Sequence, residues 1–433
     1  MVRLGEIRLK LKQTNMKNHL AIKSVIFAFS LLIIASFTSC KDEILETISY
    51  KTQISYLTTT DSIRAMEVAA QSPRSLEKPG RIYIYGDYLF INDVRKGIHV
   101  VDNSNPANPV FLNFINIPGN EDLAVNDNIL YADSYVDLLA FDITNPKQIK
   151  LKNRVKDVFE KHYYGPDRKL IFAYKDTVIT YTQKKGSGNR GNRFVSFDAS
   201  FASNSGAKGS YGTGGSTAKF TLQNSSLYTV DDRDLKVFNV NNAVNPSFVK
   251  TINIGFGIET IFPYQNKLFI GSTTGMHIYD ASNPLSPSKL STYSHVTSCD
   301  PVIVEGNYAY VTLRSGTRCN QGINVLEVIN ITDPRNPKLI SQFPMINPRG
   351  LAIKDNNLFI CEGVSGFKTF NKSDVLKIGE KLLSFKKDVK STDVIAGPKS
   401  IIITGDDGIY QYSYDGVEES SKLLSHINLS SIF

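Results

Sequence analysis

The sequence predicts an all-β protein, a β-propeller of seven or eight four-stranded blades. The first observation is a phrase, GIHVVDNSNPANP at Gly97–Pro109, that recurs in altered form about every forty residues. The second is that each repeat contains four short runs of β-branched and aromatic residues separated by Gly, Asn, Asp and Pro, which is the pattern of antiparallel strands. The third is that no long amphipathic helical period occurs in the body of the chain. Four strands in about 40 to 45 residues are typical of a propeller blade.

Eight copies of the repeat align on the Asp or Asn, or its equivalent, that ends the third strand. These positions are 102, 142, 198, 239, 280, 330, 371 and 413. The third copy is divergent, so the alternative is seven blades with the run IFAYKDTVITYTQ (Ile171–Gln183) as an embellishment. We predict that the aligned side chains are structural, because a short polar side chain can accept hydrogen bonds from the amides of the following turn.

Residues 1–39 are predicted to be a signal peptide. Basic residues precede an apolar stretch, Val25–Ala35, which is too short to span a bilayer and is followed by small residues. The ending SFTSC resembles the lipobox of bacterial lipoproteins, which implies that Cys40 is lipidated; the alternative is a non-lipidated signal peptide. The next residues, Lys41–Glu43, resemble an export signal for the outer face of the outer membrane. A solvated tether is the alternative, which leaves the periplasmic leaflet open.

The mature chain divides into a short tether and one large domain. Residues 41–64 are predicted to be the tether, with Thr52–Thr59 as a candidate strand that closes the ring, and residues 65–433 to be a single propeller domain. Two insertions break the period. Lys184–Thr217 is rich in Gly, Ser and Asn and is expected to form flexible loops, and Arg314–Gly322 is expected to form a longer hairpin.

The net charge of +8 does not indicate a nucleic-acid partner. Residues 1–40 carry six Lys or Arg and one Glu, so the rest of the chain has a surplus of only +3. No sustained basic tract or nucleic-acid module is visible there.

Three cysteines follow Cys40. Cys299 and Cys319 fall in one repeat, so a local disulfide between them is one prediction. Cys361 lies in the apolar run LFIC and is expected to pack as a small hydrophobe.

The candidate ligand site is the mouth of the central channel, because the first strand of each blade lines that channel. Aligning the repeats places Glu121, Glu259, Asp300 and Arg349 at one register, with Asp393 within one position of it. Carboxylates and a guanidinium around a ring can bind a divalent cation or a polar ligand. The alternative is that these side chains are solvated or pair with Arg349.

Weaker candidates lie in two loops. Arg314 and Arg318 are predicted to be either ligand-contact residues or plain surface. Asp231, Asp232 and Asp234 are clustered, which suggests Ca²⁺, but the spacing of a calcium loop is absent and a self-paired turn is the stronger interpretation. No other cofactor is predicted and no catalytic residue is assigned.

The repeated phrases GIHVVDNSNPANP and GMHIYDASNPLSP (Gly275–Pro287) resemble the LVIVD repeat family, and the chain from about Ala65 is similar to the LVIVD-repeat lipoproteins of Bacteroidota. The resemblance implies a β-propeller held on the outer membrane by an acylated cysteine. It implies little about activity, because propellers host unrelated functions.

We therefore expect a non-enzymatic envelope lipoprotein that binds a glycan, peptide or protein through its loops and channel mouth. One alternative is a hydrolase or polysaccharide lyase that acts at an acidic mouth. Another is a structural scaffold in an outer-membrane assembly, which would have a large apolar patch on one face.

Overall fold

The computed structural model describes residues 45–159, 169–184, 213–294, 301–315, 323–415 and 421–429. Its strands form seven four-stranded antiparallel blades, one of which has an additional two-residue strand at each edge, and one separate two-stranded sheet. The predicted all-β propeller is confirmed, with seven blades. The described residues group into two compact units, one built on most of the two-stranded sheet and the other containing all seven blades.

The elements follow one another in a regular order. Before the first blade come β1 (Leu45–Thr58), helix α1 (Thr60–Arg64) and β2 (Ala70–Gln71). Blade 1 is β3 (Pro79–Tyr85), β4 (Tyr88–Asp93), β5 (Gly97–Asp102) and β6 (Val110–Asn116); blade 2 is β7 (Leu123–Asn126), β8 (Ile129–Ser134), β9 (Asp137–Asp142) and β10 (Lys150–Val155). Between blades 2 and 3 lie β11 (Leu170–Lys184) and β12 (Thr213–Gly214). Blade 3 is β13 (Phe220–Gln223), β14 (Ser226–Val230), β15 (Asp234–Asn239) and β16 (Ser247–Asn253); blade 4 is β17 (Ile258–Tyr264), β18 (Lys267–Ser272), β19 (Gly275–Asp280) and β20 (Ser288–Ser294). Blade 5 is β21 (Val302–Glu305), β22 (Tyr308–Leu313), β23 (Val325–Asn330) and β24 (Lys338–Pro344); blade 6 is β25 (Leu351–Lys354), β26 (Asn357–Cys361), β27 (Phe367–Asn371) and β28 (Leu382–Lys386), with a 3₁₀ turn at Ile378–Glu380. Blade 7 is β29 (Ser391–Ala396), β30 (Ile401–Gly405), β31 (Gly408–Tyr412) and β32 (Leu423–Asn428).

The strands of each blade run in chain order from the centre of the ring outward. First strands of neighbouring blades approach one another, whereas the fourth strands are the most exposed. Buried apolar side chains form clusters shared by adjacent blades, such as the cluster that joins blades 4, 5 and 6. The core therefore lies between blade faces, and one blade alone could not bury it.

The aligned Asp and Asn residues shape the turn after each third strand, as predicted. In six blades the side-chain Oδ1 accepts a hydrogen bond of 2.8–3.0 Å from the amide two residues later, at Asp102, Asp142, Asn239, Asp280, Asn330 and Asn371. Hydrogen bonds from Thr144 lower the pKa of Asp142 to about 2, because they favour the charged carboxylate.

The same turn also joins neighbouring blades. The backbone carbonyl four residues after the aligned Asp or Asn accepts a side-chain hydrogen bond from the preceding blade at six of the seven seams. The donor and acceptor pairs are Asn113 and Pro146, Tyr131 and Ala243, Tyr228 and Pro284, Ser291 and Pro334, Ser341 and Val375, and Ser425 and Pro106. The recurrent phrase therefore forms a turn and also supplies the acceptor of a hydrogen bond between neighbouring blades, here called the interblade clasp.

The ring closes through side chains between blades 7 and 1. The amides of Asn103 and Gln411 exchange two hydrogen bonds of 3.0 and 2.7 Å, and Ser425 supplies the clasp to Pro106 at 2.6 Å. An apolar cluster from both blades buries the seam. Both blades are built from consecutive strands, so neither of them borrows a strand from β1.

Within the described residues the divergent third copy of the repeat forms no blade, and its aligned Asp198 lies outside those residues. Its run Ile171–Gln183 lies in β11, and β11 pairs with β1 in the two-stranded sheet. The segment Thr52–Thr59, proposed as the closing strand, lies almost wholly in β1 and pairs with β11 instead. The repeat phrase alone could not show this, because a strand pattern does not specify the partner strand.

Candidate functional site

Those predicted mouth residues that the structure describes lie at the start of the first strands of their blades. Leu123, Ile261 and Leu351 take equivalent positions in the pairing of first and second strands. Glu121, Glu259 and Arg349 each lie two residues before them and share one register. Asp393 lies one position further along the strand, directly before Val394.

The mouth is occupied by the chain itself. Residues Thr213–Lys219, here called the central segment, lead into blade 3, and their first part forms β12. This strand pairs with β3 on the edge opposite β4. Because β3 is the innermost strand of blade 1, the central segment lies inside the ring. The end of an insertion that the sequence predicted to be flexible loop is therefore part of the propeller centre.

The central segment is bound to blades on different sides of the ring. The amide of Leu351 in blade 6 donates to Ser216 Oγ at 3.2 Å, and the amide of Ile261 in blade 4 donates to the carbonyl of Ala218 at 3.0 Å. Arg81 Nε of blade 1 donates to the carbonyl of Thr217 at 2.9 Å. These contacts hold the segment across the channel mouth.

A buried ion pair forms the polar centre of this arrangement. Arg81 Nε lies 3.1 Å from Asp122 Oδ2, and the two residues are 4% and 3% exposed. Asp122 also accepts hydrogen bonds from the amides of Lys219, the last residue of the central segment, and Phe220, the first residue of β13. Burial raises the pKa of Asp122, and the positive charge of Arg81 opposes that rise.

Sequence reasoning missed Arg81 and Asp122, although a signal existed for the aspartate. Asp122 Oδ1 accepts from the amide of Leu123 at 2.7 Å, and Asp393 Oδ1 accepts from the amide of Val394 at 2.6 Å. An aspartate directly before an apolar first strand is thus a second repeated feature. The alignment selected the neighbouring Glu121 instead.

Glu121 itself lies at the outer rim of the mouth. Its Oε1 is 3.4 Å from Arg95 Nε, and both side chains are partly exposed. Its backbone carbonyl accepts a hydrogen bond of 2.8 Å from Arg81. The side chain of Glu121 is therefore paired at the surface, while its backbone contributes to the buried centre.

Glu259, Arg314 and Arg349 come together on the side of blades 4 to 6. Burial lowers the pKa of Arg314, and the positive charge of Arg349 lowers it further, whereas the negative charge of Glu259 raises it. The backbone of Arg349 is held by a 2.6 Å hydrogen bond from Thr312 Oγ1 to its carbonyl. Arg314, predicted as a loop residue, is therefore close enough to Glu259 and Arg349, predicted as mouth residues, for their charges to affect its pKa.

Asp393 is buried beside Cys361. The cysteine is fully buried in an apolar cluster of blades 6 and 7, and burial together with the charge of Asp393 raises the pKa of its thiol. The prediction that Cys361 packs as a small hydrophobe is confirmed. Five other predicted residues lie outside the described residues. They are the mouth residue Asp300, the loop residue Arg318, the cysteines Cys299 and Cys319, and the lipidation residue Cys40.

The aspartate cluster of blade 3 is engaged in its own hairpin. Asp231 Oδ1 accepts hydrogen bonds from the amides of Arg233 and Asp234 at 3.0 and 2.9 Å. Lys236 Nζ lies 3.4 Å from Asp231 and 4.0 Å from Asp234. In the part of the chain that the structure describes, no group of three or more His, Cys, Asp or Glu side chains could hold a metal ion.

An acid and a base recur inside three blades, which the sequence reading did not recognise. The pairs are Asp93 with His99, Asp231 with Lys236, and Glu362 with Lys368. Each base is the second or third residue of the third strand of its blade. Each acid is the last residue of the second strand or the residue that follows it. Burial alone would raise the pKa of Asp93, but hydrogen bonds from His99 and the Lys78 amide lower it. These pairs are internal supports of the blades.

Comparison with known proteins agrees with this architecture. The fold defines a seven-bladed β-propeller. The family model described as LVIVD repeat matches residues 78–116 and 298–343, which overlap blades 1 and 5, so the chain contains LVIVD repeats. No curated protein sequence matches the chain.

Several solved structures have a similar fold at low sequence identity. The computationally designed Ika8 protein is 11% identical, with 84% of this chain and 92% of that chain covered and a TM-score of 0.49. BamB from Moraxella catarrhalis is 8% identical, with coverage of 86% and 96% and a TM-score of 0.45. Hsv2 from Kluyvelomyces marxianus is 10% identical, with coverage of 81% and 99% and a TM-score of 0.46. At these values the likenesses say nothing about function.

Proposed function

We propose that the protein is an envelope lipoprotein whose propeller binds a ligand or partner without catalysing a reaction. The observation that carries this proposal is the central segment across the channel mouth. Its backbone, together with the Ser216 side chain, already uses Arg81, Asp122 and the first-strand amides of two blades. A ligand would have to displace this segment to reach the centre, so the surrounding loops are the more accessible binding surface.

One loop on this face has the composition of a binding contact. Phe256 is 69% exposed and lies between Gly255 and Gly257, whose φ angles are +132° and +74°. The guanidinium of Arg233 stacks 3.6 Å from the ring centroid, and the amide of Ile254 donates to the Arg233 carbonyl at 2.9 Å. Aromatic and arginine side chains dominate binding hot spots, and a preformed stack loses little entropy on binding. We place the ligand contact at Phe256 and Arg233.

A thermal-shift screen against glycans, peptides and Ca²⁺ tests this assignment, because a ligand that binds only the folded state raises the Tm. The shift is expected to disappear in Phe256→Ala and to persist in Phe248→Ala. Phe248 is a matched control, since it is 42% exposed on the outer strand β16. A shift that survives in Phe256→Ala but is lost in Arg349→Ala would move the site to the channel mouth.

The enzymatic alternative depends on carboxylates at the mouth. Glu121 pairs with Arg95 at the rim, and Asp122 is buried beneath the central segment. Neither lies open beside the other, as the two carboxyls of a glycoside hydrolase do. Release of product from any ligand of the screen would contradict the non-enzymatic proposal.

The anchoring part of the proposal rests on Cys40 and the segment before it. In the part of the chain that the structure describes, no helix is long and apolar enough to cross a membrane. Mass spectrometry of the mature protein is expected to show an acylated cysteine at its N-terminus and unmodified protein in Cys40→Ser. Protease treatment of intact cells distinguishes the two locations, because only a protein exposed at the cell surface is digested, whereas one on the periplasmic leaflet is protected.

A further inference from the structure

The two-stranded sheet has two different faces. Ser49 Oγ lies 2.8 Å from Thr180 Oγ1, and Thr47 Oγ1 lies 3.4 Å from Thr182 Oγ1, so these hydroxyl side chains share one face. Side chains alternate along a strand. Ile54, at an odd offset from Ser49, therefore lies on the opposite face.

That opposite face carries exposed apolar side chains, together with the half-buried Thr52 and Thr177. Ile179 and Tyr181 flank Thr180 and point the other way, so they share the face of Ile54. Ile54, Ile179 and Tyr181 are 48%, 37% and 41% exposed, and Lys175 on the same face is also exposed. Leu57 and Val178 are exposed apolar exceptions on the hydroxyl face. We call Ile54, Lys175, Ile179 and Tyr181 the ribbon face.

A two-stranded sheet with an exposed apolar face is marginally stable by itself. Within the described ranges, β1 and β11 pair only with each other. A surface that covers the ribbon face would remove its Ile and Tyr side chains from water and stabilise the sheet.

We propose that the ribbon face lies on the lipid bilayer, at the boundary between headgroups and acyl chains. This inference rests on the proposed acylation of Cys40. β1 begins at Leu45, five residues after Cys40. Five residues span at most about 18 Å, so the start of the sheet stays near the membrane surface. Tyr is enriched at membrane interfaces, and a Lys at such a face can extend its ammonium group to the headgroups.

The open edges of the sheet limit how deep it can lie. Unpaired backbone amides and carbonyls have no partners in the hydrocarbon core, so an open two-stranded sheet cannot cross it. Only the side chains of the ribbon face enter the acyl boundary, while the hydroxyl face remains in water. Contact is therefore expected to be shallow.

The sequence contains no tryptophan, which permits a direct test. Tyr181→Trp places a single indole on the ribbon face, and Thr180→Trp places one on the hydroxyl face of the same strand. Each acylated protein is added to vesicles of phosphatidylethanolamine with a minority of phosphatidylglycerol, with brominated lipids as quenchers. The indole emission of the Tyr181→Trp protein is expected to shift to the blue and to be quenched more by shallow than by deep bromines. The emission of the Thr180→Trp protein is expected to stay unchanged.

The other outcomes overturn the proposal. An unchanged emission in acylated Tyr181→Trp protein shows that the ribbon face meets water or a protein, and equal quenching of both probes shows that no face is selected. The acyl mass is measured on the same sample, so failure of acylation is recognised separately. Adding Ile54→Ser and Ile179→Ser to the Tyr181→Trp protein is expected to remove most of its quenching, because these two side chains supply much of the apolar area that the bilayer would bury. The thermal melt of the propeller is compared in all variants to show that each is folded.

Discussion

Replacement of Asp122 by Ala is expected to be among the most destabilising single changes in this propeller. The change leaves the Arg81 guanidinium buried without its carboxylate and removes the acceptor for the amides of Lys219 and Phe220. Removing one partner of a buried ion pair costs about 3–5 kcal/mol. For a domain of about 370 residues, about 4 kcal/mol corresponds to a fall of about 5 °C in Tm.

The assay is thermal unfolding followed by circular dichroism, with Glu121→Ala as the control. Glu121 is the adjacent residue, and its partly exposed pair with Arg95 contributes at most about 1 kcal/mol. Limited trypsin digestion gives a second reading, because release of the central segment would expose the bond after Lys219. Similar Tm values for Asp122→Ala and wild type, with no new cleavage, would show that the ion pair does not hold the central segment.

Three further predictions concern the blades. Tyr228→Phe removes the hydroxyl that donates to the Pro284 carbonyl at 2.7 Å, and it should lower the free energy of unfolding in urea by about 1 kcal/mol. The control Tyr56→Phe, at an exposed position, should cost almost nothing. Equal effects of the two changes would refute the interblade clasp. Burial lowers the pKa of His277 to about 4, so its contribution to stability is complete above pH 6.5 and is lost as the pH falls toward 4. Between pH 7 and pH 5 the wild type should lose about 1 kcal/mol more than His277→Gln, after allowance for solvent screening, and parallel urea curves at both pH values would contradict this. Gly275→Ala should be strongly destabilising, because φ is +156° and a Cβ would lie 2.3 Å from the carbonyl oxygen of Tyr293. The control Gly86→Ala, where φ is +58° and no atom lies within 4 Å of the added Cβ, should cost about 1 kcal/mol. Equal losses of Tm in the two variants would refute the steric argument.

The propeller fold could be predicted because its information is local and repeated. The phrase around Asp102 contains the turn-forming residues and the strand pattern, and each blade forms from consecutive strands. The same phrase predicted the role of Asp142 and Asp280, whose side chains accept the expected hydrogen bonds. Local hydrogen bonding of this kind depends on residues two positions apart, which a sequence displays directly.

The candidate site was predicted only in part. Alignment of the repeats found the register of Glu121, Glu259 and Arg349, since strand pairing follows the repeat. It did not find Arg81 or the central segment, because their partners lie 40 residues or more away in sequence, as Arg81 and Glu121 do. The carbonyl acceptor at each clasp was also invisible, since backbone groups carry no sequence signature.

The sequence by itself determined the class of fold, the period of the blades and the turn that ends each third strand, because these depend on alternation and on short-range hydrogen bonds. Only the tertiary structure decided that the blades number seven, that β11 pairs with β1, and that a Gly-rich insertion ends inside the ring. The physical reason is that a strand presents two edges and two faces with nothing in its own pattern to select their partners. That selection depends on which distant backbone groups and apolar surfaces the closed ring brings together.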